Sequence, residues 1–182
     1  ARFAELLEAA VDGIVFVGVP RTMEDGEGHG VSPVDALGVF RDLVPNRGAI
    51  LIPTREAELG RFAFKCDRGA NFALTQLLYS DQIVRLLSEF VQHSDHRPEI
   101  LLSFGFVPQV ESRVGLIEWL VQDPGNPSVA AEQAFIARLA EASLANKRRE
   151  LVDLYKRVVD GVGALGFPMS LHFETPYGFS PP

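Results

Sequence analysis

The chain has 182 residues, 47% hydrophobic and 23% charged, which is the balance of one folded domain with a sizeable core rather than of a disordered segment. Its formal net charge of -7 argues against nucleic acid and anionic membrane as partners, since both repel an acidic surface. A lone cysteine, Cys66, excludes a disulfide framework and an all-cysteine metal site. No apolar run approaches the ~20 residues of a membrane span, and the opening residues lack a signal-peptide shape. A reducing cytoplasm is the expected compartment.

Ala1 to Ala10 places Phe3, Leu6, Leu7 and Ala10 on one face of an amphipathic helix, ended by Asp12-Gly13. Ile14 to Val19 reads as a buried strand and Pro20 to Val31 as a polar, Gly-rich loop. Ser32-Pro33-Val34-Asp35 has the form of a helix start, with Ser32 as N-cap and Pro33 in the first turn, for a helix over Asp35 to Leu43. Val44 to Gly48 turns the chain into a second strand, Ala49 to Ile52, stopped by Pro53. A helix from Glu56 to Cys66 leads through a Gly turn into a third strand, Phe72 to Leu78, apolar on both faces except for Thr75 and Gln76.

Ser80 or Asp81 caps a helix running to about Gln92, with Ile83, Leu86, Leu87 and Phe90 inward, and His93 to Pro98 is a loop. Glu99 to Val107 is a fourth strand, Arg113 to Val121 a helix, and Asp123 to Pro127 a breaker. Ser128 caps a helix over Val129 to Ala142, a long helix covers Asn146 to Val162, and Pro168 to Phe173 is the last strand before an irregular tail, Gly178 to Pro182. Five short apolar strands alternating with helices, without a hairpin signal, predict a parallel sheet of the α/β class.

In such folds the chemistry lies where the strands run out. Arg21 follows the first strand, and Thr54 and Arg55 the second; Thr75 and Gln76 end the third. Ser103 lies in the fourth with Gln109 beyond it, and His172, Glu174, Thr175 and Tyr177 lie in or after the fifth. Arg21 and Arg55 suit phosphates or carboxylates, which a guanidinium grips with two nitrogens. Glu174 is a carboxylate at a strand end that can serve as an acid or base. Gly26, Gly28 and Gly30 alternate in a loop that does not open a helix, so they are a poor dinucleotide fingerprint. His29, His93, Asp95 and His96 read as solvated loop residues, and no metal is expected.

Asp67-Arg-Gly-Ala-Asn-Phe-Ala-Leu-Thr-Gln76-Leu-Leu-Tyr79 resembles the Asp-Ala-Gly-Ala-Asp/Asn…Thr-Gln-Phe-Phe-Phe/Tyr signature of methylenetetrahydrofolate reductases. Gly105-Phe-Val-Pro108 is similar to that family's Gly-Ile-Met/Leu-Pro, and Leu171-His172-Phe173-Glu174-Thr175 to its last-strand His-Phe-Tyr-Thr-Leu-Asn. The order and spacing of all three agree over nearly the whole chain. The resemblance implies a (β/α)8 TIM barrel that reduces methylenetetrahydrofolate to methyltetrahydrofolate with a nicotinamide, an oxidoreductase of one-carbon metabolism and methionine biosynthesis. It places Gln76 on the pterin and gives the family's catalytic acid as a Glu on the first strand; Thr75, Tyr79, His172 and Tyr177 are taken as further substrate-binding residues, and either Glu174 or that first-strand Glu as the source of the proton.

Where FAD-holding members carry Arg-Gly-Asp after the fourth strand, this chain has Gly18-Val19-Pro20; their Tyr-Pro-Glu-x-His reads Ile52-Pro53-Thr54-Arg55-Glu56. Their helix residues fall near Glu58, Arg61 and Phe64, and only Lys65 is kept. The resemblance is therefore to the divergent actinobacterial, mycobacterial-type members, in which hydride passes from NADH or NADPH directly to the folate without flavin. Arg21, Thr54, Arg55 and Lys65 are then left to hold dinucleotide phosphates or the folate glutamate tail. Two alternatives stay open: FAD held through backbone amides, and a non-catalytic folate-binding barrel fragment.

The five strands match barrel strands four to eight, and residues 1–182 are expected to be one domain, the C-terminal portion of the barrel. The family's first-strand catalytic Glu falls outside this stretch. If these residues were the entire protein, a homo-oligomer or a partner completing the sheet is expected.

Overall fold

The computed structural model describes residues 12–18, 31–105 and 126–174. Five strands, β1 (Gly13–Phe16), β2 (Asn46–Leu51), β3 (Phe72–Thr75), β4 (Glu99–Gly105) and β5 (Met169–Glu174), form one sheet in sequential order, and every neighbouring pair is parallel. The helices are α1 (Pro33–Val39), α2 (Glu58–Asp67), α3 (Gln82–His93), α4 (Pro127–Glu141) and α5 (Leu144–Ala164). A sequential order without a switch point means each crossover steps the same way, so the helices collect on one face of the sheet. The core confirms this arrangement. Ala73, Ile100, Leu102 and Phe104, on one side of β3 and β4, pack against Phe62 and Cys66 of α2, Ile83, Leu87 and Phe90 of α3, and Leu154, Val158 and Val162 of α5. Each Leu, Ile, Val or Phe among them contributes about 1.5–3 kcal/mol when fully buried. The alternate residues Leu74, Leu101 and Ser170 stand in register on the other face, and the first two are only half-buried.

The element boundaries follow local chemistry. β2 begins at Asn46 instead of Ala49, because the residues expected to turn are already paired: Asn46 lies opposite Gly13, and Asn71 Oδ1 accepts the Arg47 N–H at 2.7 Å. The Arg47 side chain donates to the carbonyls of Gly69, Arg41, Val44 and Pro45, locking the N-terminal end of the sheet. β3 stops at Thr75, short of Leu78. Thr75 Oγ1 accepts the Ser103 N–H at 2.9 Å, and the Ser103 carbonyl accepts from Leu78 N–H at 3.0 Å, so a side chain replaces a ladder bond and the chain leaves the sheet.

Ser32 caps α1 as expected, accepting the Asp35 N–H, but the helix ends at Val39 before reaching Leu43. The cap of α4 is Asn126, whose side chain accepts the Ser128 N–H at 3.0 Å; the expected cap, Ser128, accepts from Gln82 Nε2 instead. Ser143 caps α5, which starts two residues earlier than its pattern indicated. The helices expected over Ala1–Ala10 and Arg113–Val121, the loop expected over Pro20–Val31 (apart from Val31), and Arg21, Gln109, Thr175, Tyr177 and the tail after it lie outside the described residues.

Candidate functional site at the C-terminal strand ends

Three groups of polar side chains gather at the C-terminal ends of β2 to β5. The first surrounds Glu58. The Glu58–Phe62–Cys66 stripe of α2 faces the sheet, so the Glu58 carboxylate is carried inward and has no solvent exposure. Its Oε2 accepts from Arg55 Nε at 2.6 Å and Nη2 at 2.5 Å, and its Oε1 from Lys65 Nζ at 3.1 Å and the Ile52 N–H at 3.3 Å. Lys65 also donates to the Ile50 carbonyl at 2.7 Å. Burial holds the Lys65 ammonium below its ordinary pKa, with the neighbouring Glu58 acting in the opposite direction. Both cations that sequence assigned to a cofactor thus meet an internal carboxylate, which occupies the place of an anion between them. That arrangement does not fit Lys65 as the surviving anchor of an FAD.

The second group lies across β4 and β5, on the face away from the helices. Register pairs Ser103 with His172 and Gly105 with Glu174. His172 Nδ1 lies 3.3 Å from Ser103 Oγ and 3.3 Å from Glu174 Oε1. An ionised carboxylate only accepts, so the Nδ1–H tautomer satisfies the Glu174 contact and leaves Nε2 as the second ring position. Both neighbours meet the same ring nitrogen, which rules out the relay through both nitrogens that a serine nucleophile needs. What remains is a carboxylate–imidazole pair able to move one proton.

The third group is the exit of β3. Gln76, half-buried, donates its N–H to the Leu51 carbonyl at 2.8 Å. Tyr79 is 2% exposed, and beside it Ser80 Oγ donates to Glu132 of α4 at 2.5 Å. Glu132 also accepts the Tyr79 N–H, is 4% exposed, and is pushed above the ordinary carboxylate range by burial, which these two hydrogen bonds partly offset. Asn126 Nδ2 reaches the Thr54 carbonyl at 2.5 Å, so the start of α4 ties the exits of β2 and β3 together. Tyr155 of α5 stacks on Phe104 with ring centroids 4.1 Å apart and donates to the Gly105 carbonyl.

Of the residues picked from sequence, Thr75 sits at the end of β3, His172 and Glu174 together at the end of β5, Gln76 and Tyr79 on the β3 exit, and Thr54, Arg55 and Lys65 around the end of β2. Arg21 and Tyr177 lie outside the described residues. Sequence reading passed over Glu58 as a hub and missed Glu132 and Tyr155. The signal was there: Glu58 and Glu132 each interrupt an apolar helical stripe, Glu132 within Val129, Ile136 and Leu139, and a carboxylate on a buried face needs an explanation.

Among the described residues no three His, Cys, Asp or Glu side chains gather as a metal site, and no helix is long and apolar enough to cross a membrane. A search of curated proteins finds no match to the chain. The family description "Mycobacterial methylenetetrahydrofolate reductase" matches residues 1–182, the full stretch from the first residue to the last. The chain belongs to the mycobacterial methylenetetrahydrofolate reductase family.

Proposed function

We propose that this protein reduces 5,10-methylenetetrahydrofolate to 5-methyltetrahydrofolate by direct hydride transfer from NADH or NADPH, without a flavin. The five strands are read as strands four to eight of a (β/α)8 barrel forming one domain, with the substrates at the C-terminal strand ends. The observation that carries the reading is the family match over residues 1–182, joined to the polar groups converging on that end of the sheet.

In the reaction the nicotinamide hydride adds to the folate methylene carbon. The bond from that carbon to one of its two nitrogens breaks, and that nitrogen takes a proton. Most of the barrier falls to positioning the two carbons against each other. Gln76, which can both give and accept hydrogen bonds, orients the pterin with help from Thr75, Tyr79, His172 and Tyr177. Glu174 supplies the proton when it is itself protonated, with His172 Nδ1 then its acceptor, or the family's first-strand Glu supplies it. Thr54, Arg55 and Arg21 are assigned to dinucleotide phosphates or the folate glutamate tail, while Lys65, closed against Glu58 and the Ile50 carbonyl, acts through Glu58 on how Arg55 is presented. FAD has no step in this scheme.

The test is turnover of the purified native protein with NADH and 5,10-methylenetetrahydrofolate, scored by formation of 5-methyltetrahydrofolate. No product, with either nicotinamide, would leave folate binding alone as the function.

A further inference from the structure

Among the described residues the Tyr79 hydroxyl stands out as a buried polar group with no hydrogen-bond partner. Leaving such a group unpaired is unfavourable, so an orphan in a folded protein calls for a cause. Its surroundings point to one. Gly105 ends β4, and by strand alternation its missing side chain would stand on the same face as Ser103, opposite Glu174 in the register. A Cβ there would run into the Tyr79 hydroxyl and into Leu77, so the phenol end occupies the slot that Gly105 leaves empty.

The ring is fixed in that slot from several sides. The Ser103 carbonyl accepts from the Leu78 N–H at 3.0 Å, Ser80 Oγ donates to Glu132 at 2.5 Å, and Glu132 accepts the Tyr79 N–H. Leu77, Ile136, Leu139 and Leu151 pack around it. Burial first, then the nearby Tyr155, Glu174 and Glu132, hold the phenol far above its ordinary pKa, so it stays a neutral O–H donor. A rigid, buried donor is thus held at the strand ends near Glu174, with nothing among the described residues to receive its proton.

We infer that the Tyr79 hydroxyl is a ligand-directed hydrogen-bond donor, built to meet an acceptor oxygen or ring nitrogen of the reduced-folate substrate. This rests on the folate reading proposed above and adds a specific atom to it. Because the hydroxyl bonds to nothing among the described residues, Tyr79→Phe removes it without breaking a contact seen there. The experiment measures Tm and the Kd for 5-methyltetrahydrofolate on the purified native protein and on Tyr79→Phe, with the KM for NADH as control. The expected result is an unchanged or raised Tm, a Kd weakened about tenfold, and an NADH KM within about twofold; tenfold corresponds to about 1.4 kcal/mol.

An unchanged Kd overturns the inference. So does a lowered Tm, which would make the hydroxyl an internal structural group. If the unmodified protein itself fails to bind 5-methyltetrahydrofolate, the folate reading falls and this inference falls with it. That outcome is visible before any variant is made.

Discussion

Arg55 gives two nitrogens to a single oxygen of Glu58, Nε at 2.6 Å and Nη2 at 2.5 Å from Oε2, while Lys65 takes the other oxygen. The carboxylate is fully buried, so water cannot replace either partner. Glu58→Gln leaves two cations around a neutral amide, and removing one member of a buried pair costs about 3–5 kcal/mol. Arg55 is one-third exposed and recovers some hydration, so a loss of about 3 kcal/mol is expected, read as a lower urea midpoint. A loss below about 1 kcal/mol would mean that the three charges are not acting as a buried cluster.

Gln76 leaves β3 one residue after the last paired position, and its backbone is tied to Leu51 through the N–H. The side chain is not part of that bond. Alanine keeps that backbone bond, and Gln76→Ala is expected to weaken folate binding about tenfold, as loss of a two-way amide contact would. An unchanged Kd for 5-methyltetrahydrofolate would remove Gln76 from the site.

Glu132 makes stability depend on pH. Burial raises its carboxyl above the ordinary value of 4.5, so on raising the pH the unfolded chain releases this proton before the folded one does. Its contribution is fully present below 4.5 and is lost as the pH climbs through the raised folded value. Glu132→Gln cannot titrate. Its stability relative to the unmodified protein is expected to improve between about pH 4 and about pH 7, measured by urea unfolding at both. A difference that does not move with pH would show that Glu132 titrates normally.

Cys66 is expected to be chemically silent in the folded state. Burial, and then the Asp67 charge, push its thiol up to about 12, so almost no thiolate exists at neutral pH. A thiol reagent should label it only after denaturant is added. Rapid labelling of the native protein would mean that α2 opens readily from the sheet.

Much of the fold was legible because its signals are local. Ser32 and Pro33 mark the start of α1, and the apolar runs at residues 72–75 and 99–105 mark strands that helices cover. The errors came where a distant partner decides. Nothing near Asn46 announces that Asn71 and Gly13 will draw it into β2. Thr75 reads as mid-strand until its hydroxyl takes a ladder bond from Ser103, 28 residues on. The site was legible in part by position: His172 and Glu174 do lie together at the end of β5, 3.3 Å apart, whereas Thr75 ends β3 two strands away and bonds to Ser103 of β4. Its supporting carboxylates were not, because Glu58 and Glu132 are defined by what covers them.

On β5, Leu171 and Phe173 lie on the helix side of the sheet yet are 50% and 47% exposed, and β5 pairs on one edge only among the described residues.

The most direct test of the account is to follow the hydride itself. The purified native protein is supplied with 5,10-methylenetetrahydrofolate and NADH carrying deuterium at the transferred position of the nicotinamide. The methyl group of the product is then analysed by mass spectrometry, and the visible spectrum is recorded on the same sample. Direct transfer puts the deuterium into the methyl group, in a protein without a flavin band. A methyl group that has lost its label to solvent, in a protein carrying stoichiometric flavin, would contradict the account.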